Sequence, residues 1–143
     1  MDKVHVIYWS QSGNTQAMAE AIGKGVTDAG KEAAVTFVSD ASVSDLTNVK
    51  GFALGCPAMG AEVLEEDEME PFVASVEVIA HGKTIVLFGS YGWGDGEWMR
   101  DWVKRMQAAG ATTLGGEEAI CSGYPSDYNL DICTSLGKQL AAL

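Results

Sequence analysis

The sequence predicts an α/β protein of three layers, a doubly wound, five-stranded parallel sheet with helices on both faces. Short β-type runs alternate with helix-period segments five times along the chain, which is the pattern of repeated β–α units. The runs are almost continuously apolar, as strands are when both faces of a sheet are covered. A chain of 143 residues can bury a real core as one domain, residues 1–143, and no repeat, low-complexity tract or linker divides it.

VHVIYW (4–9) is the first strand. Ala17, Met18, Ala21, Ile22, Gly25 and Val26 then fall on one helical stripe that ends at Gly30. AAVTFV (33–38) is the second strand and GFALGC (51–56) the third, with a short irregular helix between them around Val43 to Asn48. Met69, Phe72, Val73, Val76 and Ile79 mark the next helix, where Pro71 fits only near the first turn. KTIVLFG (83–89) is the fourth strand. Trp98, Met99, Trp102, Val103 and Met106 line a helix that Asp95 is expected to cap and Gly110 to end. TTLGGEEAI (112–120) contains the fifth strand, and Cys133, Leu136 and Leu140 form the apolar face of the last helix.

The net charge of −11 argues against nucleic acid and against anionic membrane surfaces, both of which call for Lys and Arg. It suits partners that bring positively charged patches. No apolar run is long enough to span a bilayer, and VHVIYW is too short for a signal-peptide core, so the expected location is the cytoplasm. Cys56, Cys121 and Cys133 form no CxxC and are odd in number. They read as reduced, buried small hydrophobes rather than metal ligands.

In a doubly wound sheet, ligands sit at the carboxyl ends of the strands. The loops to inspect are therefore 10–15, 56–66, 90–97 and 121–128. In WSQSGNT (9–15), Ser10, Ser12, Asn14 and Thr15 offer polar donors, Gly13 permits a tight turn, and a helix N-terminus follows. That set suits a phosphate, and equally suits a plain turn in which Asn14 or Thr15 caps the helix. It is neither a Walker A loop nor a GxGxxG fingerprint, and with no Lys or Arg it would leave a phosphate's charge uncompensated. In GCPAMGAEVLEEDEME (55–70), Met59 and Gly60 sit at a turn, and Glu62, Glu65, Glu66, Asp67, Glu68 and Glu70 crowd into nine residues. Acids there suit a helix start; beside a ligand they would also penalise added negative charge. In FGSYGWGDGEW (88–98), Trp98 and Trp102 fit the helical stripe and belong to the core, whereas Trp93 between Gly92 and Gly94 fits no stripe and reads as a stacking surface. Tyr91 fits either role. A phosphate at one end and an aromatic plate at the other describe a mononucleotide-like ligand with a flat ring.

SQSGNT, GCPAMGAE and FGSYGWGDGEWM together resemble the flavodoxins, specifically the short-chain type of anaerobic bacteria, and the resemblance covers essentially the whole chain. It implies a flavodoxin-like fold of strand order 2-1-3-4-5 holding one noncovalent FMN. It places the phosphate on Ser10, Gln11, Ser12, Gly13, Asn14 and Thr15, largely through backbone N–H groups. Pro57, Ala58, Met59, Gly60 and Glu62 would form the second wall, with Met59 on one face of the ring and the Glu62 carboxylate accepting from ring N3–H. Ser90, Tyr91, Gly92, Trp93 and Gly94 would form the third, with Trp93 on the other face, backbone donors of 89–92 at the ring edge and Ser90 near the ribityl chain. Ser122, with Gly123 and Tyr124, would touch the ribityl chain or ring edge. The chain departs from the family pattern at Gln11 and Ser12, where Gly and Thr are usual, and at Ala61, where Asp, Ser or Asn is common.

The mechanism this resemblance implies is low-potential one-electron transfer, with FMN shuttling between neutral semiquinone and anionic hydroquinone. The Gly60 peptide would rotate its carbonyl toward N5–H. The carrier, a monomer, would dock to larger redox enzymes through basic patches on their side. The alternative is a small FMN-dependent quinone or NAD(P)H reductase, but there is no separate nicotinamide domain, and His5 and His81 lie away from the loops. A response-regulator receiver would need acids where Ser10-Gln11 and Cys56-Pro57 stand.

Overall fold

A computed structural model describes residues 3–143. Its elements are β1 (Lys3–Tyr8), α1 (Asn14–Asp28), β2 (Glu32–Phe37), β3 (Gly51–Gly55), α2 (Met69–Ile79), β4 (Thr84–Tyr91), α3 (Glu97–Ala108), β5 (Thr112–Thr113), β6 (Ile120–Ser122) and α4 (Asp127–Ala141). The strands pair in parallel in the order β2-β1-β3-β4-β5, and β6 also pairs with β4. This is the three-layer, doubly wound sheet the alternating pattern predicts. The irregular helix expected around Val43 is a 3₁₀ turn, Val43–Leu46, opened by the Ser42 side chain accepting from Ser44 N–H.

The fifth strand differs from expectation. In place of one run over 112–120 there are two short strands on β4, separated by a turn in which Gly115 and Gly116 take left-handed φ of 81° and 55°. Two consecutive residues in that region break the extended ladder, so the glycines divide the strand.

Burial follows the two-residue period of the strands. Ile7, Phe52, Leu54, Ile85 and Leu87 point to the face covered by α2 and α3, where they meet Val73, Val76, Met99, Trp102 and Met106. Val4, Val6, Ala53, Val86 and Phe88 point to the other, against Met18, Ile22, Val26, Cys133, Leu136 and Leu140 of α1 and α4. Cys56, Cys121 and Cys133 are all buried and unbridged. Burial pushes the Cys56 and Cys133 thiols up to about 12, so both stay protonated at neutral pH.

Helices α1 and α4 touch backbone to backbone. A Cβ on Gly25 would overlap the Thr134 carbonyl, and one on Gly137 would overlap the Ile22 carbonyl. The second cross-tie is ionic. Arg105 of α3 donates to both Glu70 carboxylate oxygens at 2.8 and 2.6 Å and to Glu77 at 3.0 Å, which holds α3 to α2. Gly137→Ala should lower unfolding stability by about 1–3 kcal/mol in urea titrations, because overpacking outweighs the roughly 1 kcal/mol that alanine gains in a helix.

Candidate functional site

β1 feeds α1 on one face of the sheet and β3 feeds α2 on the other, so the chain changes direction between these neighbouring strands. A cleft of about 260 Å³ opens there at the strands' carboxyl ends. Ser10, Gln11, Ser12, Asn14 and Thr15 line one side, Pro57, Ala58 and Met59 a second, Ser90, Tyr91 and Gly92 a third, with Gly123 closing it. A larger depression of about 370 Å³ lies at the opposite ends of the strands, lined among others by Lys3, His5, Lys50 and Leu140. It lies at the C-terminal end of α4, where a helix presents carbonyls rather than free N–H groups, and among the described residues no helix begins there.

The first loop is built to expose donors. Gly13 stands before α1 with φ 96°, and no side chain caps the helix. The capping role open to Asn14 or Thr15 is therefore not taken. Ser10 Oγ accepts from Gly13 N–H at 3.2 Å and shapes the turn instead. Thr15 is buried, and its Oγ1 has no hydrogen-bond partner. An uncapped N-terminus with an unpaired hydroxyl fits a phosphate. Gln11 is not among the residues with positive φ, so its Cβ is tolerated where a glycine is usual.

The second loop is a tight hairpin. Met59 N–H donates to Val63 O at 2.9 Å and Val63 N–H to Met59 O at 3.1 Å. Between them Gly60 has φ 39°, and Glu62, at φ 56°, is the one non-glycine residue with positive φ among the described residues. That conformation costs a glutamate about 1 kcal/mol or more. It sets the carboxylate against Gly94, where a Cβ would lie 2.6 Å from Glu62 Oε1. This oxygen is buried without a donor. An unpaired acceptor at one end of the site and unpaired donors at the other suit a ligand with an N–H edge and a phosphate, as FMN has.

In the third loop Tyr91 takes both roles open to it. It lines the cleft, and its ring packs on Trp98 with centroids 5.6 Å apart. Trp98 and Trp102 are core residues, each 2% exposed. Trp93 is 72% exposed, beyond the cleft's lining, so its ring is free to cover a ligand. Ser90 lines the cleft, but its hydroxyl donates to Gly123 O at 2.5 Å. Gly123 lines the cleft, whereas Ser122, Gly60 and Tyr124 are exposed outside that lining, and Gly13, Glu62 and Gly94 also lie outside it, Glu62 in a smaller neighbouring cleft.

Three features lie beyond what the sequence reading assigned. Trp98 Nε1–H donates to Cys56 O at 3.0 Å, which joins the second loop to the third. Asp95 does not cap α3; Gly96 stands before that helix at φ 92°, and Asp95 accepts from Arg100 at 3.0 Å. Glu65, one of the acid run, is the residue that closes the start of α2. It is buried, and its carboxylate accepts from the N–H groups of Asp67 (2.8 Å), Glu68 (2.7 Å) and Met69 (2.9 Å). A carboxylate just ahead of an apolar helical stripe is the only local signal it carries, and its acidic neighbours share it.

A switch-point cleft with an uncapped helix N-terminus and an unpaired carboxylate in the neighbouring loop defines a doubly wound protein with a site suited to a flat-ringed mononucleotide. The flavodoxin family model matches residues 6–137. The chain is 44% identical to the flavodoxin of Clostridium beijerinckii over 95% of this chain and 97% of that one. It is 42% identical to the flavodoxin of Megasphaera elsdenii over 96% and 98%. The solution structure of two-electron reduced Megasphaera elsdenii flavodoxin matches with a TM-score of 0.87 at 40% identity, covering 98% of this chain and 99% of that one. The chain belongs to the flavodoxin family, in its short-chain form, and is a small FMN-binding electron-transfer protein, not an enzyme.

The role of Glu65 has a pH consequence. Burial alone would raise its pKa, but three backbone N–H bonds outweigh this and hold the carboxyl below its ordinary value. A depressed folded pKa stabilises the fold above the unfolded pKa, and that contribution is lost as pH falls through the folded value. Glu65→Gln should cost about 1–2 kcal/mol at pH 7. In urea titrations the gap from wild type should narrow as pH drops below roughly 4.

Proposed function

We propose that the chain is a low-potential one-electron carrier that docks to larger redox proteins through its acidic face. When bound, FMN supplies the one-electron chemistry, cycling between neutral semiquinone and anionic hydroquinone. The observation that carries the reading is Glu62, an unpaired acidic acceptor at positive φ in the same hairpin as Met59, which lines a cleft without Lys or Arg.

Residues 10–15 hold the phosphate through backbone N–H groups and the Ser12, Asn14 and Thr15 side chains. Trp93 and Met59 cover the two faces of the ring, and Glu62 accepts from N3–H. The backbone of 89–92 serves the ring's polar edge, and Ser122 and Gly123 lie toward the ribityl chain. Gly60, exposed and with open space where a Cβ would stand, is free to turn its carbonyl toward N5–H and so favours the neutral one-electron state. The Glu62 carboxylate and an uncompensated phosphate oppose a further negative charge on the ring, which lowers the second potential.

Glu66, Asp67, Asp95, Glu97 and Asp101 are exposed around this end. The nearby arginines are engaged internally, Arg100 with Asp95 and Arg105 with Glu70 and Glu77. The face is thus left to partners with basic patches. The carrier acts as a monomer in the cytoplasm.

Reductive titration of the FMN-loaded protein should pass through a long-lived blue semiquinone. Gly60→Ala should lower its yield several-fold; since no atom blocks the added methyl, the effect reads backbone freedom alone. Bleaching in a single two-electron step would favour a quinone or NAD(P)H reductase instead. Trp93→Ala should restore much of the flavin fluorescence and weaken FMN binding roughly tenfold or more. Partner affinity should fall steeply between low and physiological salt.

A further inference from the structure

Among the described residues, two buried side-chain groups outside the first loop lack hydrogen-bond partners, and they are complementary. Trp102 Nε1–H is a donor without an acceptor, and Glu62 Oε1 is an acceptor without a donor. Both residues line one small cleft of about 150 Å³ between the second loop and α3. A buried indole N–H left unpaired is costly, and a buried carboxylate oxygen more so.

The other acceptors in that cleft are accounted for. Glu70 gives both carboxylate oxygens to Arg105. Asp101 is exposed, and it adjoins Trp102 in the helix, where neighbouring side chains point to different faces. Trp98, one turn earlier on the same stripe, already joins α3 to the second loop through its own indole N–H. Trp102 is placed to repeat that connection one turn further along.

We propose that Trp102 Nε1–H donates to the Glu62 carboxylate, and that Trp102 is thereby a positioning residue for the acid at the ring edge. The Glu62 backbone is fixed by the Met59–Val63 bridge, so it is the side chain, packed here against Gly94, that would turn onto the indole across their shared cleft. An ionised carboxylate accepts at about four lone-pair sites, so one oxygen takes the indole N–H while the other faces N3–H. With only the ring to hold it, the carboxylate would have to be ordered anew each time FMN binds. With the indole bond in place, that ordering is complete beforehand.

The proposal rests on the Glu62–ring contact proposed above, and the experiment separates the two. In wild-type protein, with and without FMN, Glu62→Ala should move the Trp102 indole ¹H–¹⁵N resonance and speed its hydrogen exchange. Trp102→Phe keeps an aromatic ring and removes the N–H; it should weaken FMN binding roughly tenfold and speed exchange of flavin N3–H. An indole resonance indifferent to Glu62→Ala, or Trp102→Phe binding FMN like wild type while Glu62→Ala binds poorly, overturns the Trp102 proposal alone. Glu62→Ala that shifts the indole but leaves N3–H exchange unchanged overturns the ring contact beneath it.

Discussion

The bond from Trp98 Nε1–H to Cys56 O fixes the relation between the second and third loops at the carboxyl ends of the strands. Cys56 is the first residue beyond β3, and Trp98 lies in the first turn of α3, so a single 3.0 Å contact holds together segments 42 positions apart. Its geometry explains Gly89, where a Cβ would overlap that carbonyl. It also explains why Tyr91 is half-buried, since its ring rests on the same indole. A hydrogen bond buried between a core tryptophan and a main-chain carbonyl is dry and hard to exchange with water, so the loops inherit the rigidity of the core.

How much of this the sequence discloses depends on the range of the interaction. Period-2 and period-3.6 patterns are local, and they placed the five β–α units and put Trp98 and Trp102 inside and Trp93 outside. The division of the fifth strand turned on Gly115 and Gly116, whose composition warns of a break without showing that both sides return to β4. Asp95 looked like a helix cap by position, but Arg100 competes for its carboxylate and Gly96 supplies the turn. Glu65 could not be told from its acidic neighbours, because its burial follows from how the chain leaves β3. The cleft was legible as a set of loops; the strain at Glu62 and the clamp at Trp98 were not, since both depend on contacts between loops.

Charge in this molecule is arranged as much by neutralisation as by number. Nine cations face twenty acids, and the two arginines of α3 are bound to carboxylates of the same end of the molecule. The loop of residues 10–15, proposed to hold the phosphate, offers dipoles, hydroxyls and backbone N–H groups, which orient an anion without cancelling its charge. On the proposed one-electron reading, a lysine in that loop would tighten the cofactor and also ease the arrival of a second electron.

The interrupted fifth strand has a bearing on colloidal behaviour. A sheet margin with a continuous row of free amide groups is a template for other chains, and it is the usual starting point of edge-to-edge aggregation. On this side the margin is cut into pieces of two and three residues with a glycine turn between them, too short for a second sheet to extend. Together with a net charge of −11, this disfavours edge-to-edge association on that side of the sheet.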